Sequence, residues 1–124
     1  MTENIDRIFI VEDDALIAML LEEMLSELGY SVSGKAACVD EALTLADSLK
    51  FDAAILDVSL AGQSSYPIAR ALDEKGTPYL FATGYGTLPE GTSGIGLPAL
   101  TKPYQLNELE AALMALATAK SQRT

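Results

Sequence analysis

Short apolar runs alternate with segments of helical periodicity along this chain. "RIFIVE" (Arg7–Glu12) is apolar and partly β-branched, which is typical of a strand buried on both faces. Comparable runs follow at "YSVSGKA", "AAILDV" (Ala53–Val58), "PYLFAT" (Pro78–Thr83) and, more briefly, "PALT" (Pro98–Thr101). The pattern therefore predicts five strands.

Four segments carry apolar residues at the spacing of an amphipathic helix. They are Ala15–Leu28, a segment through Ala42–Leu49 with Asp40 as a possible cap, Tyr66–Lys75, and Gln105–Ala119. The predicted stripe of the first helix is Ile17, Leu21, Met24 and Leu28. Ser64 or Ser65, at the end of the loop "AGQSS", is the predicted cap of the third helix, which tolerates Pro67 in its first turn. Gly29 and Gly76 are placed to end helices.

Strands that alternate with helices predict a parallel sheet covered on both faces. With no internal repeat and no linker, we expect one domain over residues 1–124 and no output domain. The segment "GYGTLPEGTSGIGL" after Thr83 contains Gly86, Gly91, Gly94 and Gly96 with Pro89, which penalise a helix. We predict a loop there, the alternative being a short irregular helix around Leu88–Ser93.

Composition narrows the function. No apolar run approaches the roughly 20 residues of a membrane span, and "MTENIDRIF" lacks a signal core, so we expect neither membrane insertion nor export. Cys38 is the only cysteine, which fits a reducing cytoplasm. The formal net charge of −10 argues against nucleic acid and suits cations or basic protein surfaces. The absence of histidine excludes a Ser-His-Asp triad and a His-ligated zinc site.

Polar residues stand at the ends of four predicted strands. They are Glu12 with Asp13, then Asp57, Thr83 and Lys102. Each has an ordinary explanation: a helix cap, a turn former, a strand end, a solvated lysine. Ligands of open parallel sheets bind outside the carboxyl ends of the strands, so the joint placement favours a site.

The three carboxylates predict a divalent cation. At about 4 Å and an effective dielectric near 20, each like-charge pair costs on the order of 4 kcal/mol. Mg²⁺, or Mn²⁺, with its preference for oxygen ligands would offset this repulsion. We expect Asp13 and Asp57 to bind directly, Glu12 to bind through water, and the backbone carbonyl of Ser59 to be a further ligand.

A carboxylate beside such a cation, with a lysine and a hydroxyl nearby, is suited to phosphoryl transfer. Asp57 would be the nucleophile and would form an aspartyl phosphate. Lys102 and the metal would neutralise the phosphoryl oxygens, and the Thr83 hydroxyl would donate a hydrogen bond to one of them.

"VEDD", "ILDV", "FATG" and "LTKPY" together resemble the receiver domain of two-component response regulators. The resemblance implies a flavodoxin-like, doubly wound (βα)₅ fold of strand order 2-1-3-4-5, here with the glycine-rich, mobile loop in place of the fourth helix. It also implies a sensor histidine kinase that phosphorylates Asp57 with Mg²⁺. Such a protein is a phosphoacceptor without separate substrate turnover, and it acts by relay, as a phosphate sink, or on an unknown downstream protein.

"PYLFATGY" is similar to the signature of the FATGUY receivers, which are typically stand-alone and paired with kinases of the HWE or related type. One departure is Ala99, where typical receivers have an aromatic residue.

Two other readings stay open. A pseudo-receiver would keep the fold as an interaction module without phosphotransfer. A haloacid dehalogenase also uses a strand-end aspartate, but it needs a second aspartate where this chain has Ser59. A nucleotide-binding module is disfavoured, because no glycine-rich phosphate loop follows the first strand.

Overall fold

The computed structural model describes residues 5–60, 62–83, 100–101 and 105–122. The elements are β1 (Arg7–Val11), α1 (Ala15–Glu27), β2 (Ser31–Ala36), α2 (Val39–Ser48), β3 (Ala53–Asp57), β4 (Ser59–Leu60), β5 (Gln63–Ser64), α3 (Tyr66–Lys75), β6 (Tyr79–Thr83), β7 (Leu100–Thr101) and α4 (Leu106–Gln122). The five predicted strands and four predicted helices are all present within these residues. A short hairpin, β4–β5, was not predicted.

Five of the strands form one parallel sheet in the order β2-β1-β3-β6-β7. Numbered along the chain without the hairpin, this is the predicted order 2-1-3-4-5, so the flavodoxin-like α/β fold is confirmed. The register pairs Val11 with Leu56 and Asp57 with Ala82, which brings the carboxyl ends of three neighbouring strands to one edge. The predicted loop in place of a fourth helix falls on residues 84–99, outside the described residues.

The sheet has a hydrophobic core on each face because side chains alternate along its strands. In β1, Ile8 and Ile10 join the core under α1 and α4, whereas Phe9 and Val11 join the core under α2 and α3. All four side chains are at most 1% exposed. The prediction that "RIFIVE" forms a strand buried on both faces is confirmed for residues 8–11, whereas Arg7, at the start of the strand, is exposed.

The buried side of α1 differs from the predicted stripe. Of the four residues predicted, Leu21 is fully buried, whereas Met24 and Leu28 lie at the margin of the core. The other buried positions are Ala18 and Leu25. The helix is apolar on most of its circumference, so its periodicity does not define one face, and it leaves exposed Leu16, Met19 and Leu20.

Two helix ends follow the predictions and one helix start does not. Gly29 and Gly76 have φ values of 94° and 72°, a backbone conformation that favours glycine, and each follows a helix as expected. The cap of α2 is Cys38, not Asp40, and its side chain makes no capping hydrogen bond. Asp40 instead lies in the first turn, where its negative charge faces the positive end of the helix dipole.

The longest helix, α4, packs one side against the sheet. Leu106, Leu109, Leu113 and Leu116 recur at helical spacing in the sequence, which predicts that they share one side of the helix. Leu109, Leu113 and Leu116 are fully buried and Leu106 is half-buried, whereas Glu108 and Glu110 are exposed. Neither α4 nor any other helix in the described ranges combines the length and hydropathy needed to cross a bilayer.

Candidate functional site

The acidic triplet after β1 is divided between two tasks. Asp14 is the cap of α1, since its Oδ1 accepts hydrogen bonds from the backbone N–H groups of Leu16 at 2.9 Å and Ile17 at 3.2 Å. Glu12 continues the path of β1, and its N–H donates to the Ala36 carbonyl at 2.9 Å. Capping therefore accounts for Asp14 and leaves the placement of the other two acids to be explained.

Glu12 and Asp13 differ sharply in exposure. The Glu12 side chain is only 5% exposed, and its Oε2 accepts a hydrogen bond from the Asp14 N–H at 3.2 Å. Asp13 is exposed. The Glu12 carboxylate is thus largely shielded from water, whereas the Asp13 carboxylate is in contact with it.

Asp57 comes from the neighbouring strand. It is the last residue of β3 and 9% exposed, and the next N–H, of Val58, donates to the Ala82 carbonyl at 3.1 Å. Carboxylate oxygens of Glu12, Asp13 and Asp57 all lie within 4.8 Å of one another. The structure therefore brings together the three acids that the strand ends predicted.

This cluster fits a hard divalent cation. In octahedral Mg²⁺ coordination with ligands at about 2.0–2.1 Å, neighbouring oxygens are roughly 2.9 Å apart and opposite ones roughly 4.2 Å. Separations of up to 4.8 Å suit direct binding by some of the carboxylates and binding through water by another. The donor set consists of oxygens, as Mg²⁺ and Mn²⁺ require.

The remaining predicted residues are placed by their backbones or lie outside the described part. Thr83 ends β6, next to Asp57 on β3, and its Cα partner on β7 is Thr101. Ser59 opens β4, two residues beyond Asp57, and pairs with Ser64. Lys102, which directly follows β7, lies outside the described residues, as does Ala99.

The segment after Asp57 is an ordered hairpin where the sequence predicted a loop. β4 and β5 are antiparallel, with Leu60 opposite Gln63 and Gly62 at a φ of 84° in the turn. Leu60 is fully buried in the core beneath α2 and α3. A glycine two residues after a lone leucine was the only sequence feature that pointed to this turn, and two-residue strands carry too little pattern to recognise.

Residues 8–114 match the family described as response regulator receiver domain, and the chain belongs to this family. Transcriptional regulatory protein QseB of Escherichia coli O157:H7 is 39% identical over 122 residues, a match covering 89% of this chain and 52% of QseB. TcrA of Mycobacterium tuberculosis, also a transcriptional regulatory protein, is 35% identical over 115 residues, covering 89% of this chain and 45% of TcrA. The chain thus spans about half the length of these curated relatives.

Solved structures of receivers are similar over almost their full length. The solution structure of SdrG from Sphingomonas melonis Fr1 has a TM-score of 0.80 at 38% identity, covering 90% of this chain and 96% of SdrG. The receiver domain of Erythrobacter litoralis PhyR has a TM-score of 0.79 at 26% identity, covering 93% of this chain and 91% of that domain. Receiver domains generally bind Mg²⁺ at an acidic pocket, and Glu12, Asp13 and Asp57 form such a pocket here.

Proposed function

We propose that this chain is a two-component receiver that accepts a phosphoryl group on Asp57 from a sensor histidine kinase in a Mg²⁺-dependent reaction. The observation that carries the proposal is the cluster of three carboxylates at the carboxyl edge of the sheet, with oxygens within 4.8 Å of one another. Three carboxylates so close together repel one another in the absence of a cation, whereas together they provide oxygen ligands for a divalent cation.

The chemistry assigns a task to each residue. A carboxylate oxygen of Asp57 attacks the phosphorus of the kinase phosphohistidine, the new O–P bond replaces the N–P bond, and the electron pair of that bond returns to the imidazole. Asp13 and Asp57 would hold the cation directly, Glu12 would hold it through water, and Ser59 would add its backbone carbonyl. When bound, the metal would supply positive charge against the phosphoryl oxygens. The Thr83 hydroxyl donates to one of these oxygens, and the Lys102 ammonium pairs with another.

Finer features extend this proposal. The motif "FATGY" and the similarity to SdrG over 96% of its length support a receiver of the FATGUY type, a group whose members are typically stand-alone, with an HWE-type kinase as its donor. The chain would be a phosphoacceptor rather than a turnover enzyme, located in the cytoplasm. It would pass the phosphoryl group onward, drain it from a kinase, or bind a downstream protein. The net charge of −10 favours protein partners over nucleic acid.

Incubation with acetyl phosphate and Mg²⁺, followed by intact mass measurement, tests the proposal. We expect an increment of one phosphoryl group that Asp57→Asn abolishes. Asp47→Asn is the matched control because Asp47 is an exposed aspartate on α2, and this variant should be phosphorylated like the wild type. An equal increment in Asp57→Asn would assign the phosphoryl group to another residue and refute the role of Asp57.

The alternative is a phosphorylation-independent interaction module with the same fold. It predicts no mass increment from acetyl phosphate or from any sensor kinase of the source organism. Purified kinases, labelled on their histidine and mixed with this chain, distinguish the two functions directly. Transfer of the label to the chain supports the receiver, and its absence across the full set of kinases supports the module.

A further inference from the structure

The chain that leaves Asp57 is fixed on both sides of Val58, through the peptide groups that precede and follow it. The N–H of Val58 donates to the Ala82 carbonyl at 3.1 Å, which holds it to β6. Its carbonyl accepts two hydrogen bonds from Ser65, one from the backbone N–H at 3.1 Å and one from Oγ at 3.2 Å. Ser65 is 0% exposed, so both donors bind in a site closed to water.

Ser65 occupies the cap position of α3 but does not cap with its side chain. A capping serine normally accepts from the backbone N–H of the second or third helical residue. Pro67 has no N–H to donate, and the Ile68 N–H donates to the backbone carbonyl of Ser65 at 3.0 Å. The neighbouring Ser64 Oγ accepts from the Tyr66 N–H at 3.1 Å. The Ser65 hydroxyl is therefore committed to the segment after Asp57 and not to the helix.

These hydrogen bonds close residues 58–65 into a ring that contains the hairpin. Inside the ring, Ser59 pairs with Ser64, and Leu60 is fully buried in the core. The segment is held at Val58 by Ser65, at its middle by Leu60, and at its turn by the backbone conformation of Gly62. Ser59, which the proposed function makes a metal ligand, lies between the first two of these anchors.

We propose that Ser65 is a positioning residue, whose hydroxyl fixes the Val58 carbonyl and with it the path of the chain from Asp57 through Ser59. The inference rests on the proposed function, in which this path carries ligands for Mg²⁺. A segment already held in place loses little freedom when the cation binds, and pre-organisation of this kind increases affinity. Removing the hydroxyl loosens one anchor and leaves the three carboxylates unchanged.

Calorimetric titration with Mg²⁺, together with melting temperatures with and without Mg²⁺, tests the proposal. Ser65→Ala is expected to weaken Mg²⁺ binding about fivefold, the scale of one buried hydrogen bond, and to reduce the Mg²⁺-induced rise in melting temperature. Ser64→Ala is the matched control, since it removes the hydroxyl that serves α3. It should lower the melting temperature equally with and without Mg²⁺ and leave the Kd unchanged.

Ser65→Cys provides a second variant if the alanine protein does not fold. Cysteine fills nearly the same volume but is a weak donor, so under reducing conditions it should also weaken Mg²⁺ binding. Wild-type affinity in both Ser65 variants would overturn the positioning role and leave the proposed function intact. Equal effects of Ser64→Ala and Ser65→Ala on the Kd would also overturn it, because helix capping would then explain both. Absence of Mg²⁺ binding by the wild type would refute the proposed function itself.

Discussion

Glu12 is the least exposed of the three clustered carboxylates, and its environment sets the electrostatic cost of the site. A buried carboxylate is poorly screened, whereas the exposed Asp13 is screened by water and salt. Asp57, at 9% exposure, is nearly as well shielded from water as Glu12, so the repulsion between these two carboxylates is weakly screened. The metal-free protein therefore carries a strain that neutralising either partner should relieve.

We expect Asp57→Asn and Asp13→Asn to stabilise the metal-free protein. Each removes the charge of one carboxylate and with it two like-charge interactions in the cluster. The free energy of unfolding should rise by on the order of 1 kcal/mol or more for Asp57 and by less for the exposed Asp13. Urea unfolding in EDTA measures the change. Asp47→Asn removes a negative charge of the same kind from the exposed surface of α2 and corrects for the lower net charge. A lower stability of both cluster variants, relative to this control, would contradict the repulsion.

At the residue scale, the sequence identified which acids form the cluster. It did not show which residue of the triplet "EDD" caps α1 and which residues belong to the cluster. Asp13 and Asp14 are equally good candidates for a helix cap by residue type. The structure settles this by where α1 begins, at Ala15, which makes Asp14 the cap. That boundary depends on how the helix packs on the sheet, and packing is not encoded in three adjacent carboxyl groups.

Tyr30 joins three elements at the opposite edge of the sheet from the acidic cluster. It follows the end of α1, precedes β2, and packs against the core that α4 covers. With Ile5, Leu28 and Met114 it lines a groove of about 260 Å³. Burial raises the pKa of the Tyr30 phenol above 10.0, and the negative charges of Glu110 and Asp6 raise it further.

The raised pKa predicts a loss of stability in alkali. Because the folded protein binds the phenolic proton more tightly than the unfolded chain, the full stabilisation is present below pH 10.0 and is lost as pH rises through the folded pKa. The Tyr30→Phe variant has no phenolic proton at this position, so the part of the stability loss at high pH that comes from Tyr30 ionisation should be absent. Denaturant unfolding between about pH 8 and 11 measures it, with Tyr66→Phe, at the start of α3, as control. A slope unchanged by Tyr30→Phe alone would refute the prediction.

At the element scale, the strands of the main sheet and the four described helices were predictable, whereas the buried face of α1 and the β4–β5 hairpin were not. In α4 the buried leucines share one side and polar residues mark the other. In β1 the apolar run is covered on both faces of the sheet. Each pattern therefore specifies which side chains are buried. In α1, exposed Leu16 and Met19 are as apolar as buried Leu21, so only contact with the sheet selects the face. The β4–β5 hairpin is held by burial of Leu60 in the core and by the hydrogen bonds from Ser65 to the Val58 carbonyl, and the pattern of its four paired residues reveals neither.

The whole molecule has 18 acidic side chains against 8 basic ones. Every cation therefore reduces the general repulsion, and specific binding must be separated from this effect. Specific binding can be distinguished from screening because the three-carboxylate cluster binds a small divalent ion at one place, whereas screening depends on ionic strength alone.

Mg²⁺ should raise the melting temperature beyond the effect of salt. At a concentration of ten times the Kd, binding to the native state alone adds about 1.4 kcal/mol, which corresponds to a rise of about 5 °C for a chain of this size. Differential scanning calorimetry in KCl of matched ionic strength provides the baseline, and EDTA should reverse the rise. An identical rise in KCl would show that screening explains the whole effect, and Asp57→Asn should show only that baseline.

Cys38, which follows β2, is a natural position for attaching a spectroscopic label. It is the only cysteine in the sequence, its side chain is exposed, and it follows β2 two residues after Ala36, whose carbonyl contacts the Glu12 backbone. A maleimide reagent should attach a nitroxide spin label at this position without prior mutagenesis. Paramagnetic broadening from that label would then report, in solution, how the carboxyl ends of the strands rearrange when the aspartate is modified.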